Sequence, residues 1–207
     1  MRGWKAFLGI WAILGLAAPI QAGPEGTDQP IALKRCNLAI PPLAGMQLAE
    51  QTTDSVLLRG QFQGSLFTAA LFCSANDDRT YKPEPILGKP GVEKIKDLYL
   101  EGEIRGVLFY NARYAGSRKL DSIEAYFATR NLNYRLIVLR ENGPLGENRK
   151  RASDLAESIL ARLSWIVPPE STISEEEYRQ RLILLGGGGL ALVILLAFAF
   201  MRRKKNS

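Results

Sequence analysis

The sequence predicts an α+β domain, with a mainly antiparallel sheet of five to six strands and two packed helices, followed by one C-terminal transmembrane helix. Three observations carry the prediction. Six short segments show strand patterning, and neighbouring ones are joined by links too short for parallel crossovers. Two segments repeat apolar residues at helical spacing. The 20 residues 182–201 carry no charge and are followed by Arg202, Arg203, Lys204 and Lys205. At 1.5 Å rise per residue they span roughly 30 Å, the hydrocarbon thickness of a bilayer, with the basic flank on the cytoplasmic side.

The N-terminus reads as a signal peptide, 1–22. Arg2 and Lys5 precede an apolar run, and Ala17-Ala18-Pro19-Ile20-Gln21-Ala22 supplies small residues before a polar stretch. An uncleaved signal anchor is the alternative, and either way the region up to residue 181 is exported. Residues 23–35 form a Gly/Pro/polar leader, 36–166 an exported domain of ordinary size, 167–181 a stalk with the start of a juxtamembrane helix, and 202–207 a basic tail.

Within the domain, Asn37-Leu38-Ala39-Ile40 is an edge strand halted by Pro41-Pro42. Segments 55–62 and 65–73 flank a Gln63-Gly64 turn and form a hairpin, whose second strand is apolar on both faces and therefore central. Residues 76–91 contain three prolines and read as a long loop. Val92, Ile95, Leu98 and Tyr99 then recur at helical spacing behind Pro90-Gly91, predicting an amphipathic helix to about Glu101. Strands follow at 104–111, 122–129 and 134–140, the last two joined through Asn131-Leu132-Asn133. In the middle one Ile123, Ala125 and Phe127 share a face. A second helix runs from Glu147 to Trp165 with Leu155, Ile159, Leu163 and Ile166 as its apolar stripe, and Pro168-Pro169 end it.

The net charge of +6 reports topology. It is 27 basic minus 21 acidic residues, and removing Arg2, Lys5, Arg202, Arg203, Lys204 and Lys205 leaves 21 against 21. Nucleic acid is therefore not an expected partner. Ten of the basic residues, against four acidic ones, fall within 104–151. Among them Arg113, Arg118 and Lys119 surround a short loop and are candidates for binding phosphate groups or an acidic partner; a solvated hairpin is the other reading.

Histidine is absent. That removes Ser-His-Asp and Cys-His catalysis, HExxH sites and most zinc sites. Acid pairs such as Asp77/Asp78 and Glu101/Glu103, and Asn76 beside the former as oxygen ligands for calcium, are weak patterns without a framework. No catalytic residue, metal or cofactor is expected, and a histidine-free envelope enzyme is the alternative from another class. The only cysteines, Cys36 and Cys73, lie in the exported region, where an even pair fits one disulfide. Two buried free thiols, or a redox or lipid-attachment role, are the alternatives.

Ser174-Glu175-Glu176-Glu177 fits the S-x-x-E capping box, which starts a helix at Ser174 with its glutamates at the positive end of the dipole. Further on, Gly186, Gly187, Gly188 and Gly189 interrupt the apolar run. Gly187 and Ala191 make a small-xxx-small pair suited to close helix packing, and an intramembrane processing site or a lipid-facing surface are the other readings.

The stretch from Ser122 to Trp165, a hairpin followed by a helix ending in SILARLSW, resembles the closing portion of PsbP-like α+β sandwich domains. The resemblance implies a small exported accessory factor with a binding role. The glycines beside a basic-flanked C-terminal helix resemble the GlyGly-type C-terminal sorting signals of bacterial surface proteins, which implies a cleaved anchor as a third possibility. The combined expectation is a non-catalytic binding or assembly-accessory protein of the bacterial envelope. It is held in the inner membrane by a single pass, with the lipid bilayer, another envelope protein or a second copy of its own transmembrane helix as partners.

Overall fold

The computed structural model describes residues 29–101, 103–115, 118–174, 176–180 and 183. The strands are β1 (Ile31–Leu33), β2 (Leu38–Ile40), β3 (Met46–Gln51), β4 (Ser55–Phe62), β5 (Ser65–Ala75), β6 (Val92–Leu100), β7 (Ile104–Ala115), β8 (Arg118–Ala128), β9 (Leu132–Arg140) and β10 (Ser164–Trp165). The helices are α1 (Glu84–Leu87) and α2 (Arg149–Leu160). Seven strands form one antiparallel sheet in the order β3-β4-β5-β9-β8-β7-β6, and β1-β2-β10 form a small second sheet. All neighbours in the large sheet but one are consecutive in the chain. The exception, β5 with β9, closes a three-strand meander onto a four-strand one.

The β4–β5 hairpin matches its sequence signal. Gln63 (φ 47°) and Gly64 (φ 80°) both adopt left-handed conformations, as a two-residue hairpin turn demands. From that turn the register runs from Phe62↔Ser65 to Ser55↔Phe72. Ile123, Ala125 and Phe127 of β8 face a core with Phe67, Leu71, Leu108, Tyr134, Leu136 and Val138. Helix α2 packs on this face against β8 and β9, burying Ala152, Leu155, Ala156 and Ile159. Each large apolar side chain so buried contributes about 1.5–3 kcal/mol.

The fold class needs correction. The molecule is mostly antiparallel sheet, ten strands in two sheets with few helices among the described residues, in place of an α+β domain of five to six strands and two helices. Residues 92–100 form edge strand β6, where a helix was expected. A register shift between Lys94 and Lys96 makes Ile95 an extra residue in the strand. Such a bulge breaks period two, so Val92, Ile95, Leu98 and Tyr99 imitate helical spacing on an extended chain. The second helix stops at Leu160. Its last turn tightens as Arg162 N–H donates to Ile159 O (3.1 Å), and Ser164–Trp165 then pair with Ala39 and Leu38. Strand β2 is accordingly the centre of the small sheet and has no free edge.

The membrane part of the expected class is corrected as well. No helix among the described residues is long and apolar enough to cross a membrane. Gly186, Gly187, Gly188, Gly189 and Ala191 lie outside the described residues, as does the predicted span apart from Ile183. An uncharged apolar run confers only a capacity to span, and the helical residues that precede it, 176–180, are polar. The single-pass anchor therefore has no counterpart among the described residues. The serine half of the predicted capping box is present: Glu177 N–H donates to Ser174 Oγ at 3.1 Å.

Residues 167–173 lie fastened along the domain. Asn37 holds Val167 by both its amide atoms (2.8 Å each), Arg130 N–H donates to Glu170 O (2.9 Å), and Ile173 N–H donates to Arg79 O (2.9 Å). Strand β1, at Ile31–Leu33, begins inside the stretch read as a leader.

Candidate functional site

Helix α2 runs beside edge strand β6, and charged pairs close the N-terminal part of the seam between them. Arg149 Nη2 lies 2.9 Å from Glu93 Oε2, and its guanidinium sits 4.2 Å over the Tyr110 ring. The Tyr110 hydroxyl donates to Asp121 Oδ2 (2.9 Å), whose other oxygen accepts from Leu145 N–H (2.7 Å). Two turns along the helix, Glu157 Oε2 meets Lys96 Nζ at 2.6 Å. These are half-exposed pairs, each contributing under about 1 kcal/mol, so they orient the elements more than they stabilise them.

Beyond the Lys96–Glu157 pair the seam opens into a cleft of about 360 Å³. Leu98 and Leu100 form the β6 wall, Leu160 at the end of α2 and Leu163 just past it form the other, and Trp165 also lies among the lining residues. The volume falls within the range of small ligand sites, and such sites are mainly apolar with a few polar groups. The positions of β6 explain the lining. After the bulge, Lys96, Leu98 and Leu100 share the face that looks toward α2, while Asp97 and Tyr99 share the opposite one.

The floor is anchored. Trp165 meets Tyr134 edge-on (5.8 Å), and Tyr134 stacks on Phe127 (4.7 Å). The Tyr134 hydroxyl donates to Cys36 O (2.8 Å), and burial pushes its pKa up to about 12. Cys36 is bonded to Cys73 of β5, which settles the pairing in favour of the disulfide and ties the small sheet to the large one. No free cysteine remains among the described residues.

The other face of the sheet holds a buried charged network. Glu124 is held by Arg135 from β9, with Asn111 and Ser122 donating to its second oxygen. Beside it Tyr81, from the loop after β5, stacks on Tyr126 (5.6 Å). The Tyr81 hydroxyl is buried without a hydrogen-bond partner among the described residues. Burial, and then the negative charge of Asp97, raise the Tyr81 pKa above its ordinary value; burial likewise raises that of Tyr126.

Arg113, Arg118 and Lys119 lie on the β7–β8 hairpin, with Arg113 opposite Leu120 and Lys119 opposite Tyr114 in the register. That is the end of β7 away from the cleft, since Ile104 at its start pairs with Leu100. The oxygen-rich candidates are otherwise engaged. Asn76 donates to Thr80 O (3.1 Å) and Thr129 O (2.8 Å), and Asp78 pairs with Lys82 (2.8 Å). Among the described residues no group of three or more Cys, Asp or Glu is placed to hold a metal. Glu101 and Glu103 are exposed at the β6–β7 turn. The cleft residues escaped the sequence reading because both its walls were assigned to apolar stripes of helices. The alternation Lys96-Asp97-Leu98-Tyr99-Leu100 was the signal available for them.

No protein-family model matches the chain, and no curated protein matches it. Among solved structures, a protein of Bacteroides thetaiotaomicron VPI-5482 is similar, with a TM-score of 0.41 and 11% sequence identity. The similarity covers 62% of this chain and 45% of that one, so it spans less than half of the neighbour's length.

Proposed function

We propose that this chain is a non-catalytic binding or assembly-accessory protein of an oxidising compartment outside the cytoplasm, and that it engages an envelope partner at the cleft between β6 and α2. The observation that carries the reading is the cleft itself: a recess of about 360 Å³ at the edge of the sheet, walled by Leu98, Leu100, Leu160 and Leu163 with Lys96, Glu101 and Glu157 also in its lining. Its floor is braced by the Phe127–Tyr134–Trp165 column. Tyr99, at its rim, is 80% exposed and open to contact. The Cys36–Cys73 disulfide supports export, because such bonds persist in oxidising compartments.

The test places a photo-crosslinking phenylalanine analogue at Tyr99 in cells, with the same analogue at Leu48 on the opposite edge strand as control. A discrete adduct at Tyr99, absent at Leu48 and lost in Ala161→Trp, is expected. Equal labelling at both edges, or none at Tyr99, overturns the binding reading. Alkylation of the protein as taken from cells should find Cys36 and Cys73 blocked, and free thiols there would overturn the assignment to an oxidising compartment.

A further inference from the structure

We infer that the cleft takes an extended peptide segment of a partner protein, which adds as an eighth strand to the outer edge of β6 at Asp97–Leu100. One apolar side chain of that segment enters the cleft and a basic one lies at its mouth. The inference rests on the reading of the cleft as a partner site and names what occupies it.

Among the described residues, strand β6 ends the sheet order and pairs only with β7, so its outer backbone groups have no strand partner there. Proteins ordinarily blunt such edges with charge, lysine and bulges. The first half of β6 does so: Glu93, Lys94 and Lys96 are exposed there, and the bulge between Lys94 and Lys96 distorts the ladder. The second half is different. Past the bulge the register with β7 is regular from Asp97↔Val107 to Leu100↔Ile104. Its one charge, Asp97, is held by Lys94 at 2.8 Å. A short regular edge, flanked by a protected one, borders the leucine-walled cleft.

Recognition by strand addition needs main-chain groups for affinity and recesses for alternate side chains for specificity. Both are here. Leu98 and Leu100 line the cleft, so a guest residue beside them on the same face of the sheet directs its side chain into it. Tyr99 presents its exposed ring to the opposite face of the guest. Charge selects within this class. Lys96 and Glu157 neutralise one another, whereas Glu101 is exposed and has no ion-pair partner among the described residues. The lining is left with a net single negative charge, which favours a cationic neighbour and disfavours an acidic one.

The experiment uses the full-length chain and a capped peptide of threonines carrying one leucine and, two residues on, one arginine. Hydrogen-exchange mass spectrometry follows the β6 amides during titration. Saturable protection is expected at Asp97–Leu100, by about tenfold or more, the scale of one or two added main-chain hydrogen bonds. The same peptide N-methylated on alternate backbone nitrogens should bind at least about tenfold more weakly, as should a version with glutamate for arginine. Ala161→Trp, at an exposed lining position, should abolish the protection with its melting temperature unchanged. Undiminished binding of the N-methylated or the glutamate peptide, or no protection by the parent peptide, overturns the inference. So does a dimer in sedimentation without peptide that Ala161→Trp dissolves, which assigns the edge to a second copy. A discrete Tyr99 adduct in cells without peptide binding sinks strand addition alone, whereas absence of the adduct sinks the partner site itself.

Discussion

Arg135 grips Glu124 across β9 and β8 with Nε 2.7 Å from Oε2 and Nη2 on the same oxygen, and the carboxylate is only 2% exposed. Asn111 Nδ2 and Ser122 Oγ, each at 2.7 Å, saturate Oε1. A buried ion pair is weak evidence of net stability, but removing one partner strands the other. Arg135→Met should therefore lose about 3–5 kcal/mol in urea unfolding. The double variant Glu124→Leu/Arg135→Met should lose less than Arg135→Met alone. A double variant as costly as the sum of the two single ones would show that the pair is not a unit.

Reduction of the disulfide should be nearly as damaging. Cys36 and Cys73 are 37 residues apart and join the small sheet to β5. On the chain-entropy model a loop of that size restricts the unfolded chain by about 4 kcal/mol. The Cys36→Ala/Cys73→Ala protein should unfold at correspondingly lower urea, and proteolysis should begin near β1 and β2. An unchanged midpoint would mean that strand pairing alone holds the small sheet.

Alkaline pH should unfold the protein through its buried tyrosines. Tyr134 has its pKa pushed by burial from 10.0 to about 12. The folded state thus holds this proton more tightly than the unfolded chain does. Its contribution is complete below pH 10 and is lost as the pH rises through 12, at up to about 1.4 kcal/mol per pH unit. Tyr81 and Tyr126 are shifted in the same direction and add to the slope. Urea midpoints measured between pH 9 and 11.5, approximate limits for such a titration, should fall steadily, and Tyr134→Phe should flatten the fall. A pH-independent midpoint in that window would contradict the assignment.

Asn37 should govern how residues 167–173 lie on the domain. It sits at φ 55° and clasps Val167 through both side-chain amide atoms. Asn37→Gly keeps the left-handed backbone accessible and deletes only the clasp. Exchange at the Val167 amide and protease cleavage within 167–173 should accelerate, while global stability falls by only about 1 kcal/mol. A global loss of several times that size would make the clasp part of the cooperative core.

Several elements were legible in the sequence because a few adjacent residues encode them. Gln63-Gly64 sets the β4–β5 turn and hence its register, the alternation Ile123, Ala125, Phe127 sets the core face of β8, and Ser174 caps the helix after it. The pair of cysteines was consistent with one bridge, and the structure supplied the bond. The rest was decided at a distance. The extended state of Ser164–Trp165 depends on Ala39 and Leu38, more than a hundred residues earlier, and no local propensity records that partner. The bulge at Lys94–Lys96 is stabilised by β7 and disguises β6 as a helix when its residues are read alone. The cleft arises where these two misread segments meet. Period and turn chemistry are local properties of the chain, whereas a recess is bounded by surfaces that only folding brings together.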